Sequence, residues 1–203
     1  MRVSKQVRCA KFRCKDVVHD GYLVPNLDLA PREVRIVLIS ESAPSDAADW
    51  YYAKGEPLFQ ATTVQAFQDA GARISSFRDV LGLGVYLTTA VKCRKQAYGI
   101  QTATVEECSR LLEKELTLFP DVKAWLLMGD VAIKAVNFIA KRGGEGRVVP
   151  AGSTYKIRRQ EHRFRGARAF PSYLQAGPSF FIEKSKRRMI AEDIAAALRI
   201  AGG

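Results

Sequence analysis

No stretch of the sequence approaches the ~20 consecutive apolar residues that a membrane-spanning helix needs. The longest apolar runs, residues 34–39 and 124–128, are far shorter. The amino terminus, Met1-Arg2-Val3-Ser4-Lys5, continues polar and charged and lacks the apolar stretch of a secretory signal. Internal repeats, low-complexity tracts and a flavin or nicotinamide fingerprint are also missing, so the sequence gives no support to a repeat architecture or to a redox enzyme using those cofactors. No membrane partner is expected, and the expected location is the cytoplasm. In that reducing setting the four cysteines read as free thiols or metal ligands rather than disulfides.

Acidic residues are also in short supply. Against 32 lysines and arginines stand 21 aspartates and glutamates, for a net charge of +11. The excess is clustered: Lys5, Arg8, Lys11, Arg13 and Lys15; Lys92, Arg94 and Lys95; residues 156–168; and Lys184, Lys186, Arg187 and Arg188. Clustered positive charge is the footprint of a polyanion binder and points to nucleic acid. A merely soluble basic surface is the competing reading.

What is present is enough for a core, since 47 % of the 203 residues are hydrophobic. The expectation is a single domain, residues 1–203, with an N-terminal cysteine-containing segment. The β-branched run 34–39 reads as a buried strand, as do 85–89, 124–128 and 167–170. Residues 61–72 carry helical spacing. Thr104-Val105-Glu106-Glu107 has the pattern of a capping box opening a helix that buries Val105, Cys108, Leu111, Leu112, Leu116 and Phe119. Gly129-Asp130 turns the third strand into another helix, and a last helix shows Ile190, Ile194, Ala197 and Leu198 on one face. Strands alternating with helices predict an α/β fold: a doubly wound, mostly parallel four-stranded central sheet flanked by helices. Ligands of such sheets sit beyond the carboxyl ends of the strands. That places residues 40–50, 89–95, 129–130 and 171–177 around one crevice.

The cysteines are spaced Cys9-x4-Cys14, then Cys93-x14-Cys108. Thiolates are soft ligands suited to zinc or to an iron–sulfur cluster, and spacing alone does not choose between them. Cys108 also fits as a buried free thiol on an apolar helix face. Cys9 and Cys14, in a polar basic segment, fit a core role less well.

At Val85-Tyr86-Leu87-Thr88-Thr89-Ala90-Val91-Lys92-Cys93 the sequence resembles the iron–sulfur (family four) uracil-DNA glycosylases, whose strand reads Tyr-Ile-Thr-Asn-Val-Val-Lys-Cys. Cys108 follows at the family's spacing, and Cys9 and Cys14 loosely match its N-terminal pair. Ala43-Pro44-Ser45 with Asp49 resembles the first active-site motif, Gly-Glu-Ala-Pro-Gly followed by acidic residues. Gly55-Glu56-Pro57-Leu58-Phe59 resembles Gly-x-Pro-Phe, and Leu126-Leu127-Met128-Gly129 with Ala132 resembles Leu-Gly-x-x-Ala. Pro171-Ser172-Tyr173, with Lys186-Arg187 and Glu192-Asp193 downstream, resembles Pro-Thr-Tyr-His-Pro-Ser and the last helix. The likeness runs in order through nearly the whole chain. It departs at the base-reading asparagine, which becomes Thr89. It departs again at the histidine, which becomes Leu174 or, in the other alignment, Phe170. The resemblance implies a divergent member of the uracil-DNA glycosylase superfamily.

It further implies excision of uracil or another deaminated or damaged base from DNA, with a 4Fe-4S cluster on Cys9, Cys14, Cys93 and Cys108, zinc being the alternative. Cleaving an N-glycosidic bond builds positive charge on the sugar, so a carboxylate is needed, and Asp46, Asp49 and Glu41 lie on the loop after the first strand. Phe59 is the expected stacking ring, with Trp50, Tyr51 and Tyr52 as alternatives. Thr89 and Gln175 are placed to read a base edge, and Tyr173 or Leu174 to wedge the gap left by a flipped nucleotide. Lys184, Lys186, Arg187 and Arg188 are expected on DNA phosphates, and the chain is expected to be a monomer. A protein that binds DNA or a lesion on the same fold without cutting it is the second reading.

Overall fold

The computed structural model describes residues 1–202. One sheet contains β1 (Val17–Val18), β2 (Ile36–Ala43), β3 (Val85–Lys95), β4 (Ala124–Met128), β5 (His162–Phe164) and β6 (Ala167–Ser172), in the order β1-β3-β2-β4-β6-β5. The middle strands β3, β2, β4 and β6 run parallel. Both edges are antiparallel additions, β1 on β3 and β5 on β6. The sheet is therefore six-stranded and mixed, not four-stranded and parallel. The two extra strands span only 2 and 3 residues, too few to show a period of two in sequence.

The middle strands are apolar throughout because both faces are covered. Val37, Ile39, Trp125 and Leu127 point to one layer, built by α3 (Thr102–Leu116), α4 (Asp130–Arg142) and the N-terminal segment. Their neighbours Ile36, Leu38, Leu126 and Met128 point to the other, built by α1 (Leu58–Asp69), α2 (Phe77–Gly82) and α7 (Lys184–Ala201). Two short helices, α5 (Thr154–Ile157) and α6 (Ser179–Ile182), complete the chain. No helix among the described residues is long and apolar enough to cross a membrane.

Several boundaries differ from expectation. β3 runs on to Lys95 rather than ending at Thr89. α3 begins at Thr102, and the Thr104 hydroxyl donates to the Asp16 carboxylate instead of capping the helix. A capping box does occur at Ser76 and Asp79, opening α2. The crevice that matters lies where β2 meets β4. The chain leaves β2 for β3 on one side and later returns to β4 on the other, a topological switch point at the strands' carboxyl ends.

Candidate active site

A crevice of about 630 Å³ opens at that point, lined by Glu41 from the end of β2, Gly129 and Asp130 from the turn into α4, and Tyr173 and Leu174 after β6. Of the three acidic residues expected from the sequence, Glu41 is the one that lines the crevice, beside Asp130 and Glu183. Burial pushes its pKa up from the usual carboxylate range, and Asp130 adds to the rise. Lys95, Lys134 and the Val131 backbone N–H at the start of α4 partly counter this. Gly129 makes room for it. Its φ is +98°, and a Cβ there would lie 2.5 Å from Glu41 Oε1, so only glycine serves.

The other two acidic candidates are occupied as caps. Asp46 Oδ1 accepts from the Ala48 N–H at 2.9 Å, in an exposed short turn. Asp49 Oδ1 accepts from the Leu58 N–H at 3.2 Å and so closes the amino end of α1. Neither lines the crevice.

The base-reading candidates gather in the neighbouring layer, around Tyr51. Phe59 packs on Tyr51 with ring centroids 5.1 Å apart. The buried Gln175 donates from Nε2 to the Tyr51 hydroxyl at 2.8 Å and accepts from Ser40 Oγ at 3.3 Å. Ser40 and Tyr51 share a 2.5 Å hydrogen bond. Burial holds the Tyr51 hydroxyl well above the ordinary phenol range. Thr89 pairs with Ser40 across β2 and β3, and its buried hydroxyl has no hydrogen-bond partner. Of the two positions competing for the family histidine, Leu174 lines the crevice, while Phe170 is buried in the core beneath the Arg168 guanidinium.

The basic clusters are unequally available. Lys184 and Arg188 are exposed at the start of α7. Lys186 lines the crevice, pairs with Glu183 at 2.5 Å and sits over the Tyr173 ring. Arg187 instead ties α7 to α1 through Asp69, with Nη2 2.8 Å from Oδ1. Lys92 is fully buried in an ion pair with Glu115, which removes it from any DNA-facing role. Arg158 is likewise buried, bidentate on Asp193 at 2.7 and 3.1 Å. Lys134 is a crevice residue that sequence reading missed. Its signal is its position one turn along the helix opened by Gly129-Asp130.

All four cysteines line a second cavity, of about 230 Å³, between the N-terminal segment, the end of β3 and α3. Cys93 Sγ lies 3.7 Å from His19 Nδ1, and the Lys92 N–H donates to Cys108 Sγ at 3.4 Å. Phe12, at φ +41°, lies between Cys9 and Cys14 and packs on His19 and Tyr22. Desolvation pushes Cys93 up to about 12 and Cys108 to about 11, and Cys9 and Cys14 add to both shifts. The four sulfurs line one cavity, with His19 beside them, and soft thiolate donors fit a sulfur-ligated cofactor. Among the described residues no three His, Cys, Asp or Glu side chains converge on a single-ion position.

No curated protein matches the sequence. The model of the uracil DNA glycosylase superfamily matches residues 27–193, a span that includes Glu41, Gly129, Leu174, Cys93 and Cys108 and leaves Cys9 and Cys14 outside. With most of its length matched, and with its crevice at the carboxyl ends of β2 and β4, the chain belongs to the uracil DNA glycosylase superfamily.

Proposed function

We propose that this protein is a DNA glycosylase that hydrolyses the N-glycosidic bond of uracil or another deaminated or damaged base in DNA. The observation that carries the reading is Glu41, a half-buried carboxylate held against the start of α4 inside the crevice. Bond cleavage leaves positive charge at the sugar and needs a placed water. Glu41 supplies a negative charge for the first and an acceptor for the second. Lys95, Lys134 and Lys186 line the same crevice beside Glu41, Asp130 and Glu183, and as individual donors the lysines suit a phosphodiester strand and a departing base anion. Asp46 and Asp49 act as caps that shape the loop between β2 and α1.

The four cysteines are assigned to a structural 4Fe-4S cluster. Zinc holds tetrahedral thiolates at about 2.3 Å, which requires them to converge tightly. A cubane accepts a wider set of sulfurs, in keeping with four thiols spread around a cavity. Bound there, the cluster would tie the N-terminal segment to β3 and α3. Anaerobically purified protein is expected to be brown, with about four irons per chain. Colourless protein with stoichiometric zinc would keep the site and reject the cluster.

A non-catalytic DNA- or lesion-binding role is favoured by one observation, the apolar Leu174 lining the crevice where the resemblance expects a histidine. A panel of labelled oligonucleotides carrying uracil, hypoxanthine, xanthine and thymine mismatches separates the two. Excision from any member, lost in Glu41→Gln, supports the glycosylase. Tight binding without excision supports the second reading.

A further inference from the structure

The loop between β3 and α3 holds Tyr98 almost entirely in water, at 99 % exposure. An isolated exposed tyrosine is ordinary surface, but this one sits on an anchored loop. The Gln96 N–H donates to the Asp16 carbonyl at 3.2 Å, and the Gln101 N–H donates to Asp16 Oδ2 at 2.6 Å. The Thr104 hydroxyl donates to the other Asp16 carboxylate oxygen. A single residue of the N-terminal segment thus pins both ends of the loop. Lys95 Nζ donates to the Tyr98 carbonyl at 3.2 Å and lies 5.7 Å from its ring centroid. Arg94 Nη1 donates to the Ser45 carbonyl at 3.2 Å, tying the end of β3 to the loop after β2. Tyr98 lines the same crevice as Glu41.

An aromatic plane held in solvent beside a cation, Lys95, at the mouth of a crevice lined by Lys134 and Lys186 as well as by Glu41, Asp130 and Glu183, has the components of a single-strand platform. The ring stacks a base of any sequence, and the cations track the backbone. We propose that Tyr98 is a stacking platform for a nucleobase of the DNA strand, next to the nucleotide whose base enters the crevice. The proposal rests on the crevice's acting on DNA, and adds a contact at its rim to those of Glu41. A second protein would not require a lysine held against a single ring. A phosphate alone would not require the ring.

The test is affinity for a single-stranded oligonucleotide and for the same strand with one abasic site, across a salt series, for wild type, Tyr98→Phe and Tyr98→Ala. Tyr98→Ala should bind on the order of ten-fold more weakly and Tyr98→Phe nearly as wild type, because stacking needs the ring and not the hydroxyl. The salt slope should be the same in all three, since no phosphate contact is lost. The proposal fails if Tyr98→Ala binds like wild type, if Tyr98→Phe loses as much as Tyr98→Ala, or if the wild type has no affinity for DNA. Base excision is read separately on the oligonucleotide panel. No excision with a ring-dependent affinity would sink the glycosylase reading and keep the platform. Excision with a ring-independent affinity would do the reverse.

Discussion

Replacing Lys92 with methionine should cost more stability than any change at the surface. Lys92 and Glu115 are both 0 % exposed, and the ammonium meets Glu115 Oε2 directly. Glu115 Oε1 accepts from the Tyr86 hydroxyl at 2.6 Å and from Thr88 Oγ1 at 2.7 Å. Lys92 Nζ also donates to Thr88 Oγ1 and to the Thr89 carbonyl, each at 2.7 Å. Lys92→Met removes the only cation of this network and leaves a buried carboxylate facing two hydroxyls. Breaking a buried pair from one side costs about 3–5 kcal/mol, against a total of about 5–15 kcal/mol for a domain. At roughly 2–4 °C per kcal/mol for a chain of this size, the melting temperature should fall by about 6–20 °C. The double variant Lys92→Met/Glu115→Gln should recover most of this, because the amide oxygen still accepts from Tyr86 and Thr88 while no charge stays buried. Urea unfolding followed by tryptophan fluorescence suits the measurement, since Trp125 and Trp50 sit in opposite core layers. A cost below about 1 kcal/mol for the single variant, or a double variant no better than the single, would refute the account of a charge held by its partner.

Four further outcomes follow from the crevice and the basic helix. Glu41→Gln should abolish excision while stabilising the fold modestly at neutral pH. Its folded pKa is raised by burial, so the native state binds the proton more tightly than the unfolded chain and stability falls as pH rises between the two values. A thermal scan at pH 7 showing Glu41→Gln less stable than wild type would contradict this. Gly129→Ala should cost about 1–3 kcal/mol through its positive φ and, by pushing Glu41 aside, cut excision far more than a denaturation curve would explain. Lys184→Ala and Arg188→Ala should each flatten the salt dependence of DNA binding by a slope of about one. Arg187→Ala should instead loosen α7 on α1 by losing Asp69, with little change in slope.

The central sheet and its two layers were legible because strands covered on both faces leave continuous β-branched and aliphatic runs, as at Ile36, Val37, Leu38 and Ile39. The edge strands were not, because their pairing is decided by partners far along the chain: Val17 by Lys95, and His162 by Ala169. Thr104-x-x-Glu107 matched a local capping pattern, yet a carboxylate 88 residues away takes the hydroxyl. Lys92 looked like part of a basic cluster. Its burial had a readable sign in Glu115, the acid that falls three residues after Leu112 on the buried face of α3, beside Leu116. Glu41 was among three acidic candidates, and no local feature separates it from Asp46 and Asp49. Only the return of the chain through β4 to Gly129 brings the start of a helix against it.

The hydrogen bonds around Tyr51 make that residue an internal competitor. Its hydroxyl already satisfies Ser40 and the amide of Gln175, so an incoming base that seeks Gln175 must displace a resident ligand rather than fill a waiting space. A base that restored both hydrogen bonds would exchange on nearly even terms. One lacking a matching donor or acceptor would strand buried polar groups at about 1–3 kcal/mol each. Selection at this layer would then be by displacement, with the protein's own side chain setting the threshold that a foreign base must exceed.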